Sequence, residues 1–359
     1  MPNDYVMVDA DIHPVLDQQR ILEFLPQPWR GRYAGGNRGP GHLGYWNPNG
    51  VMRADAVAPD GSRIERSPQH LARYFLDPYK IAYGILNAVD DGMSYGVSPD
   101  LDFAAAAVSA ANDVIVHDWL PVDPRLRASL VVAPGDPALA AREIHRLGDH
   151  PGLVQVLMPS AAPMPYGHRF YHPIYAAAVE HSLPVAIHPG NEGTGVSGPP
   201  TAAGYAGTYL EWHTGLVGSY LSPLTSLVTE GVFIKFPTLR FVLIEGGVSW
   251  LPPILWRFDK NWKALRQTVP WLDRLPSAIV GDHMLLTTQP IEEPEPRAHF
   301  RAMLEMFDAG RMLMFSSDFP HWDGDTPDFA GGAFPPALRP RVLGETARTL
   351  YRLPGADDA

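Results

Sequence analysis

The chain has 359 residues, of which 45% are hydrophobic, so it is long enough to bury a sizeable core in one large α/β domain. Its 28 basic and 39 acidic residues give a net charge of −11, which argues against nucleic acid and anionic membranes as partners. The sequence contains no cysteine, which excludes disulfides, thiolate nucleophiles and cysteine-based zinc sites, so any metal site must use His, Asp, Glu and water.

From the sequence we expect neither a membrane-spanning segment nor a secretory signal. No window of about 18 apolar residues is present, so we expect no membrane span. The first residues, Met1 to Asp4, lack the basic and apolar segments of a secretory signal. We therefore expect a cytoplasmic protein.

Short apolar segments are predicted as strands, and helical patterns follow most of them. In chain order these strands cover residues 5–13, 81–88, 126–133, 153–158, 183–188, 240–245, 284–289 and 311–316. Strands that alternate with helices in this way predict an α/β fold of the (β/α)8 TIM-barrel type, with residues 1–359 forming a single domain. A doubly wound open sheet is less favoured, because Asp11-Ile12-His13-Pro14 stands where that fold has a glycine fingerprint.

Two stretches interrupt the alternation of strands and helices. Residues 31–78, after the first strand, are rich in Gly, Pro and polar residues and are predicted to form an insertion that acts as a lid. Residues 189–217, after the fifth strand, are predicted to form a long active-site loop.

Polar side chains end several of the predicted strands. Asp11 and His13 end the first strand, His188 ends the fifth, Glu245 ends the sixth, and Asp318 follows the eighth. Because active sites of these barrels lie at the carboxyl ends of the strands, we expect these side chains to meet at one mouth. We predict that two imidazoles and two carboxylates of this set hold one divalent cation, Zn, Mn or Fe(II), with positions left open for water or substrate.

Several segments resemble one enzyme family when they are considered together. These segments are residues 8–13 (VDADIH), 184–188 (PVAIH), 236–247 (FPTLRFVLIEGG) and 317–321 (SDFPH), supported by residues 250–252 (WLP) and 288–290 (TQP). They resemble the amidohydrolase-related family that contains aminocarboxymuconate semialdehyde decarboxylase and γ-resorcylate decarboxylase. The resemblance covers nearly the whole chain and is weakest between residues 31 and 78. It implies a metal-dependent (β/α)8 enzyme, most often a decarboxylase and sometimes a hydrolase.

The resemblance also implies roles for individual residues. His13 and His188 match metal ligands of the family, and Asp11 stands where many members have His or Glu. Asp318 matches a carboxylate that binds metal and takes part in proton transfer. The resemblance therefore implies that the metal ligands are Asp11, His13, His188 and Asp318.

Glu245 departs from the family pattern. The best-known decarboxylases carry a His at this position, in a His-Gly-Gly phrase, so Glu245 is predicted either as a ligand or as an acid or base. His213 is a candidate to supply the missing imidazole, and the alternative is a histidine that only packs or lies at the surface. The predicted catalytic residues are therefore Asp318, Glu245 and His213.

Other residues are predicted to support the site or to contact substrate. Arg53 could bind a substrate carboxylate through both of its terminal nitrogens. His321 is predicted either to orient Asp318 or to contact substrate, and Trp212 and Trp322 are predicted to form walls of the substrate pocket. Asp9 points the same way as Asp11 from one layer deeper and is expected to brace the site.

We expect a non-oxidative decarboxylase that acts on a small carboxylated aromatic or unsaturated compound. Two alternatives remain open: a metal-dependent hydrolase of an amide, lactone or C–C bond, and a metal-binding barrel that has lost catalysis. The resemblance further implies a homodimer or homotetramer, with the helices over residues 216–233 or 250–265 as candidate contacts.

Overall fold

The structure is a computed structural model that describes residues 5–36, 43–48 and 50–355. It contains an eight-stranded sheet in which the strands pair in chain order, and each pair is parallel. The strands are β1 Val8–Ile12, β2 Tyr83–Leu86, β3 Leu126–Val131, β4 Leu153–Pro159, β5 Val185–His188, β6 Phe241–Leu243, β7 Met284–Thr287 and β8 Leu313–Met314.

Backbone contacts between β1 and the segment around β8 close the sheet. The amide of Ala10 donates to the carbonyl of Phe315 at 2.9 Å, and the amide of His13 donates to the carbonyl of Phe319 at 2.7 Å. Ile12 also forms a parallel bridge with Phe319. The predicted (β/α)8 barrel is therefore confirmed, and all eight predicted strands are present; β4 is one residue longer than predicted and the other seven are shorter.

Helices follow the strands and cover the outside of the barrel. In chain order they are α1 Gln18–Phe24, α2 Trp29–Ala34, α3 Pro68–Leu71, α4 Asp77–Tyr79, α5 Leu101–Val114, α6 Pro137–Leu147, α7 His172–Glu180, α8 Tyr209–Gly215, α9 Gly218–Thr229, α10 Val232–Lys235, α11 Leu251–Leu265, α12 Pro276–His283, α13 Ala298–Leu304, α14 Ala309–Met312, α15 Pro327–Ala333 and α16 Thr346–Tyr351. Short π-helical turns at Ala72–Leu76, Ile115–Trp119 and Arg341–Glu345 adjoin α3, α5 and α16.

Local sequence explains where several of these helices begin. The carboxylates of Asp17, Asp100 and Asp136 accept hydrogen bonds from backbone amides in the first turns of α1, α5 and α6. Thr208 and Thr326 do the same with their hydroxyl groups for α8 and α15. These residues satisfy amides that would otherwise lack a partner inside the helix.

Part of the predicted insertion packs on the carboxyl end of β8. Met52 forms an antiparallel bridge with His321, and the amide of Trp322 donates to the carbonyl of Val51 at 2.9 Å. Residues 37–42 and 49 of the insertion, and residues 1–4 and 356–359 of the predicted single domain, lie outside the described residues. A lid role for residues 31–78 stays a prediction. The predicted loop over residues 189–217 carries α8 in its second half.

Among the described residues, no helix combines the length and the apolar composition that crossing a membrane requires.

Candidate active site

Buried acids and histidines converge where the strands end. Two sets of four residues each offer ligand atoms that lie within 4.8 Å of one another. The first set is Asp11, His13, His188 and Glu245, and the second is His13, Glu245, Asp318 and His321. Because the sets share His13 and Glu245, they describe one centre. The structure thus brings together all four predicted metal ligands and adds Glu245 to them.

The imidazole nitrogens of this centre lie among carboxylate oxygens. His13 Nε2 is 2.8 Å from Asp318 Oδ1 and 3.3 Å from Asp11 Oδ1. His188 Nε2 is 3.0 Å from Glu245 Oε2 and 3.5 Å from Asp11 Oδ2. His13 Nε2, His188 Nε2 and Asp11 Oδ2 are buried. Although they lie close to one another, the angles do not allow any of the three to form a hydrogen bond. Buried polar atoms that converge without bonding one another fit a shared cation, so these residues suit a divalent metal.

Backbone carbonyls fix the orientation of both histidines. His13 Nδ1 lies 3.1 Å from the carbonyl oxygen of Asn87, and His188 Nδ1 lies 2.7 Å from that of Pro189. A carbonyl can only accept, so each Nδ1 carries the proton and donates. With the proton held on Nδ1, it is Nε2 of each ring that faces the centre, and its lone pair is available to a metal ion that displaces any proton there.

The electrostatics of the centre favour positive charge. Burial alone would lower the pKa of His188, but the carboxylates of Asp11 and Glu245 outweigh it and raise this pKa to about 10. Burial would raise the pKa of Asp11, whereas the neighbouring His13 and His188 reverse this effect and lower it. The site therefore stabilises a cation among its carboxylates, and a bound metal ion meets that requirement.

Asp9 lies beneath the centre and joins β1 to the loop after β8. Its Oδ1 atom accepts from the amide of Ser317 at 2.9 Å and from the amide of Asp11 at 3.2 Å. Burial raises the pKa of Asp9 to about 7. These contacts are the ones expected of a residue that braces Asp11.

Asp318 is held by three neighbours. Its Oδ1 atom lies 2.7 Å from His321 Nδ1, and its Oδ2 atom accepts from Gln289 Nε2 at 3.2 Å. The ring of His321 stacks on that of His13 with 4.3 Å between their centroids. Burial would raise the pKa of Asp318, but the charge of His321 and the contact with His13 lower it. Asp318 and His321 therefore form a pair that can share one proton.

His213 lies at the edge of the centre. Its Nε2 atom is 3.1 Å from Asp323 Oδ2, which also accepts from Gln289 Nε2 at 3.0 Å. Because Gln289 also binds Asp318, two side chains link His213 to that carboxylate. Burial alone would lower the pKa of His213, but the hydrogen bond and charge of Asp323, together with the charges of Glu245 and Asp318, outweigh burial and raise this pKa. A catalytic role for His213 stays a prediction.

A cavity of about 270 Å³ opens beside the centre. Its walls combine apolar, aromatic and acidic side chains with the histidines: Leu43, Gly44, Tyr45, Val51, Val89, Asp90, His188, Pro189, Gly190, Glu192, Tyr209, Trp212, His213, Glu245, His321 and Asp323. The predicted substrate contacts Trp212 and His321 both line it. A concave site with apolar and aromatic walls and a few convergent polar groups is typical of small-molecule binding.

The other two predicted substrate contacts lie elsewhere. The Trp322 indole donates to the Tyr209 hydroxyl at 3.0 Å, so Trp322 supports a wall residue. The Arg53 guanidinium is paired with Asp55 at 2.8 Å and lines a different cavity together with Ser317. A contact between Arg53 and substrate stays a prediction.

Sequence reasoning missed several buried polar residues at this mouth. Asn87 follows β2, and its Nδ2 atom donates to Asp11 Oδ1 at 2.7 Å. Gln289 follows β7 and binds both Asp318 and Asp323. Glu192 accepts from the amide of Gly190 at 3.0 Å and from the hydroxyl of Ser160. The strand-end criterion that found the charged residues would also have found Asn87 and Gln289 if uncharged amides had been included.

The sequence is similar to that of a known enzyme family. A family model described as amidohydrolase matches residues 8–353. The gamma-resorcylate decarboxylase of Polaromonas sp. is 27% identical over 261 residues, which cover 68% of this chain and 75% of that protein.

Solved structures share the fold over nearly their whole length. An amidohydrolase from Mycobacterium avium subsp. paratuberculosis has a TM-score of 0.75 at 19% identity, covering 97% of this chain and 100% of that one. A mutant 5-carboxyvanillate decarboxylase from Novosphingobium aromaticivorans, bound to manganese and 3-methoxy-4-hydroxy-5-nitrobenzoic acid, has a TM-score of 0.71 at 19% identity, covering 98% of each chain.

Proposed function

Because the chain belongs to the amidohydrolase family, whose model matches residues 8–353, we propose that it is a metal-dependent decarboxylase of a small aromatic carboxylate. The observation that carries this proposal is the buried centre of acids and histidines beside a cavity of about 270 Å³. The names of two relatives support the substrate class, since both are decarboxylases of aromatic acids.

We propose that Asp11, His13 and His188 hold one divalent metal ion, Zn, Mn or Fe(II), with Glu245 and Asp318 completing the ligand set. The orphaned nitrogens of the two histidines support this assignment. Such an ion would supply the positive charge and the Lewis acidity that a bound carboxylate substrate requires.

The Asp318–His321 pair is proposed to deliver the proton. Their Oδ1 and Nδ1 atoms lie 2.7 Å apart, and His321 lines the cavity. The proton adds to the ring carbon that bears the carboxylate. The C–C bond then breaks, its electron pair restores the aromatic ring, and carbon dioxide leaves. Gln289 holds Asp318 in place during this transfer through its contact at 3.2 Å.

Hydrolysis is the second candidate because Glu245 stands in the centre, 3.0 Å from His188 Nε2. A carboxylate at that position can accept a proton from an attacking water, a step that decarboxylation does not need. His213, paired with Asp323 at 3.1 Å, offers a second proton acceptor at the cavity wall.

A substrate screen tests the proposed reaction. We expect the protein with added Mn²⁺ to release carbon dioxide from hydroxylated or methoxylated benzoic acids. Asp318→Asn should lower kcat by about 100-fold or more, because it removes the proton-sharing carboxylate. Asp60→Asn is the matched control, since Asp60 is exposed and pairs locally with Ser62, and it should keep the wild-type rate.

Other results of the same screen would contradict decarboxylation. Turnover of esters, lactones or amides without carbon dioxide release would favour the hydrolase. A protein that binds metal but turns over neither substrate class would favour the inactive barrel.

The cytoplasmic location and the homodimer or homotetramer also remain proposals. Trp256 and Leu265 of α11 support a subunit contact, because they are 56% and 58% exposed. The net charge of −11 supports the expectation that nucleic acid is not a partner.

A further inference from the structure

A line of polar side chains runs through the interior of the barrel. Barrel interiors are usually packed with branched apolar residues. Here Asn87 after β2, Ser129 on β3 and Gln155 on β4 are buried. Tyr351, the last residue of α16, is also buried, at 6% exposure. We call these four residues the lumen relay.

Hydrogen bonds connect the lumen relay from end to end. The Tyr351 hydroxyl donates to Gln155 Oε1 at 2.9 Å, and Gln155 Nε2 donates to Ser129 Oγ at 2.8 Å. Ser129 Oγ donates to Asn87 Oδ1, and Asn87 Nδ2 donates to Asp11 Oδ1 at 2.7 Å. The relay therefore links the C-terminal helix to a proposed metal ligand across three strands.

The direction of every hydrogen bond in the relay is fixed. Asn87 Nδ2 faces both the carbonyl of Ala10, at 3.2 Å, and the carboxylate of Asp11, and neither of these groups can donate. The amide nitrogen must therefore lie on that side, which leaves Asn87 Oδ1 to accept from Ser129.

The same logic continues to the end of the relay. A serine hydroxyl has one proton, so Ser129 must accept from Gln155, whose oxygen must in turn accept from Tyr351. Burial raises the pKa of Tyr351, and the charge of Asp11 raises it further, so the phenol keeps its proton. All donors thus point towards Asp11.

We propose that the lumen relay positions the Asp11 carboxylate and so sets the affinity of the proposed metal centre. Aligned hydrogen bonds strengthen one another in a buried environment. The last of them holds Asp11 Oδ1, which leaves Oδ2, the buried oxygen without a hydrogen-bond partner, to face the metal. The relay members are positioning residues, because none of their side chains lines the cavity beside the centre. This inference rests on the metal centre proposed above.

Manganese affinity in the absence of substrate tests the relay. Free Mn²⁺ is measured by electron paramagnetic resonance during titration of the metal-free full-length protein. Ser129→Ala should weaken the Kd by about 10-fold, because it breaks the relay next to Asn87. Tyr351→Phe should weaken it by about 3-fold, because it removes only the most distant donor. At saturating Mn²⁺ both variants should recover most of the wild-type kcat.

Tyr175→Phe is the matched control. Tyr175 is buried, and its hydroxyl donates to the carbonyl of Tyr166 at 2.6 Å, so the variant also loses one buried hydrogen bond but leaves the relay intact. Its Mn²⁺ Kd should stay within about twofold of wild type, because the hydrogen bond that it loses ends on the backbone of Tyr166 and is not part of the relay. Circular dichroism establishes that all variants are folded.

Three outcomes are distinguishable. If folded Ser129→Ala and Tyr351→Phe bind Mn²⁺ like Tyr175→Phe, the relay only fills the barrel and the inference is overturned. If the wild type binds neither Mn²⁺ nor Zn²⁺, the metal centre and the relay's role both fail. If the wild type binds metal and the variants weaken it, but no aromatic acid loses carbon dioxide, the relay stands and the proposed substrate class fails.

Discussion

At the scale of single residues, the centre depends on how each side chain is held. Asp11, His13 and His188 could be predicted because charged residues that end apolar strands are conspicuous in a sequence. The orientation of the two imidazole rings could not be predicted. It is fixed by the carbonyl oxygens of Asn87 and Pro189, and a sequence does not show which backbone carbonyl a side chain will contact. The place of Glu245 in both ligand sets also depends on backbone geometry that the sequence does not display.

Asp91 shows what burial does to a carboxyl group outside the centre. It accepts from the amide of Leu16 at 3.1 Å, which joins the loop after β1 to the loop after β2. Burial and the neighbouring charge of Asp90 raise the pKa of Asp91 to about 6. In the unfolded chain this pKa is about 3.9. Between about pH 3.9 and about pH 6, the folded protein therefore binds more protons than the unfolded chain does.

The Asp91 titration predicts a pH-dependent stability difference. As pH rises from about 4 to about 6, the folded state loses stability because it must ionise a buried acid. Asp91→Asn keeps an oxygen for Leu16 but does not ionise. Relative to wild type, the variant should gain about 2 kcal/mol of unfolding free energy between pH 4 and pH 7.5.

Urea unfolding of both proteins at the two pH values measures this gain. Titrating groups that do not interact with Asp91 cancel in the difference between wild type and variant. An equal stability difference at pH 4 and pH 7.5 would show that Asp91 is not perturbed.

At the scale of elements, the loops that follow short strands carry much of the site. β6 ends at Leu243 and β8 ends at Met314, earlier than the predicted ends at residues 245 and 316. Glu245 and Asp318 therefore lie in loops, with φ angles of 60° and 58°. Non-glycine residues in this left-handed region are strained, and such strain clusters at functional sites. An apolar run predicts a strand but not the point where its pairing stops, which is why these boundaries were missed.

The π-helical turn Arg341–Glu345 packs tightly under β1. A Cβ atom on Gly344 would lie 1.9 Å from the carbonyl oxygen of Val6. The two atoms would overlap at this distance, so the backbone would have to move. Gly344→Ala should therefore lower the free energy of unfolding by about 2 kcal/mol or more.

Gly281→Ala is the comparison for this prediction. Gly281 lies in α12, and a Cβ atom there would meet nothing within 4 Å. Alanine should stabilise this helix by up to about 1 kcal/mol. Denaturant unfolding measures both variants, and equal effects at the two positions would refute the close packing beneath β1.

At the scale of the whole molecule, the barrel could be predicted because its pattern repeats eight times along the chain. One ambiguous strand, such as β8, does not change the conclusion when seven others agree. The lumen relay could not be predicted in this way. Its contacts run obliquely across β2, β3 and β4 and depend on register, for example on Ser129 lying beside Gln155. The subunit number also stays a prediction. It depends on contacts between subunits, which the structure of a single chain does not contain.

Metal binding by His188 and its neighbours is the central claim, and a Mn²⁺ titration of the metal-free protein tests it most directly. We expect one ion per chain, because the two ligand sets share His13 and Glu245. His188→Ala should weaken binding by about 100-fold, since it removes a ligand, while the protein stays folded by circular dichroism. His213→Ala should bind Mn²⁺ within about threefold of wild type, because His213 pairs with Asp323 outside both sets. A wild-type protein that binds no Mn²⁺, Zn²⁺ or, under anaerobic conditions, Fe²⁺, or a His188→Ala variant that binds as tightly as wild type, would contradict the claim.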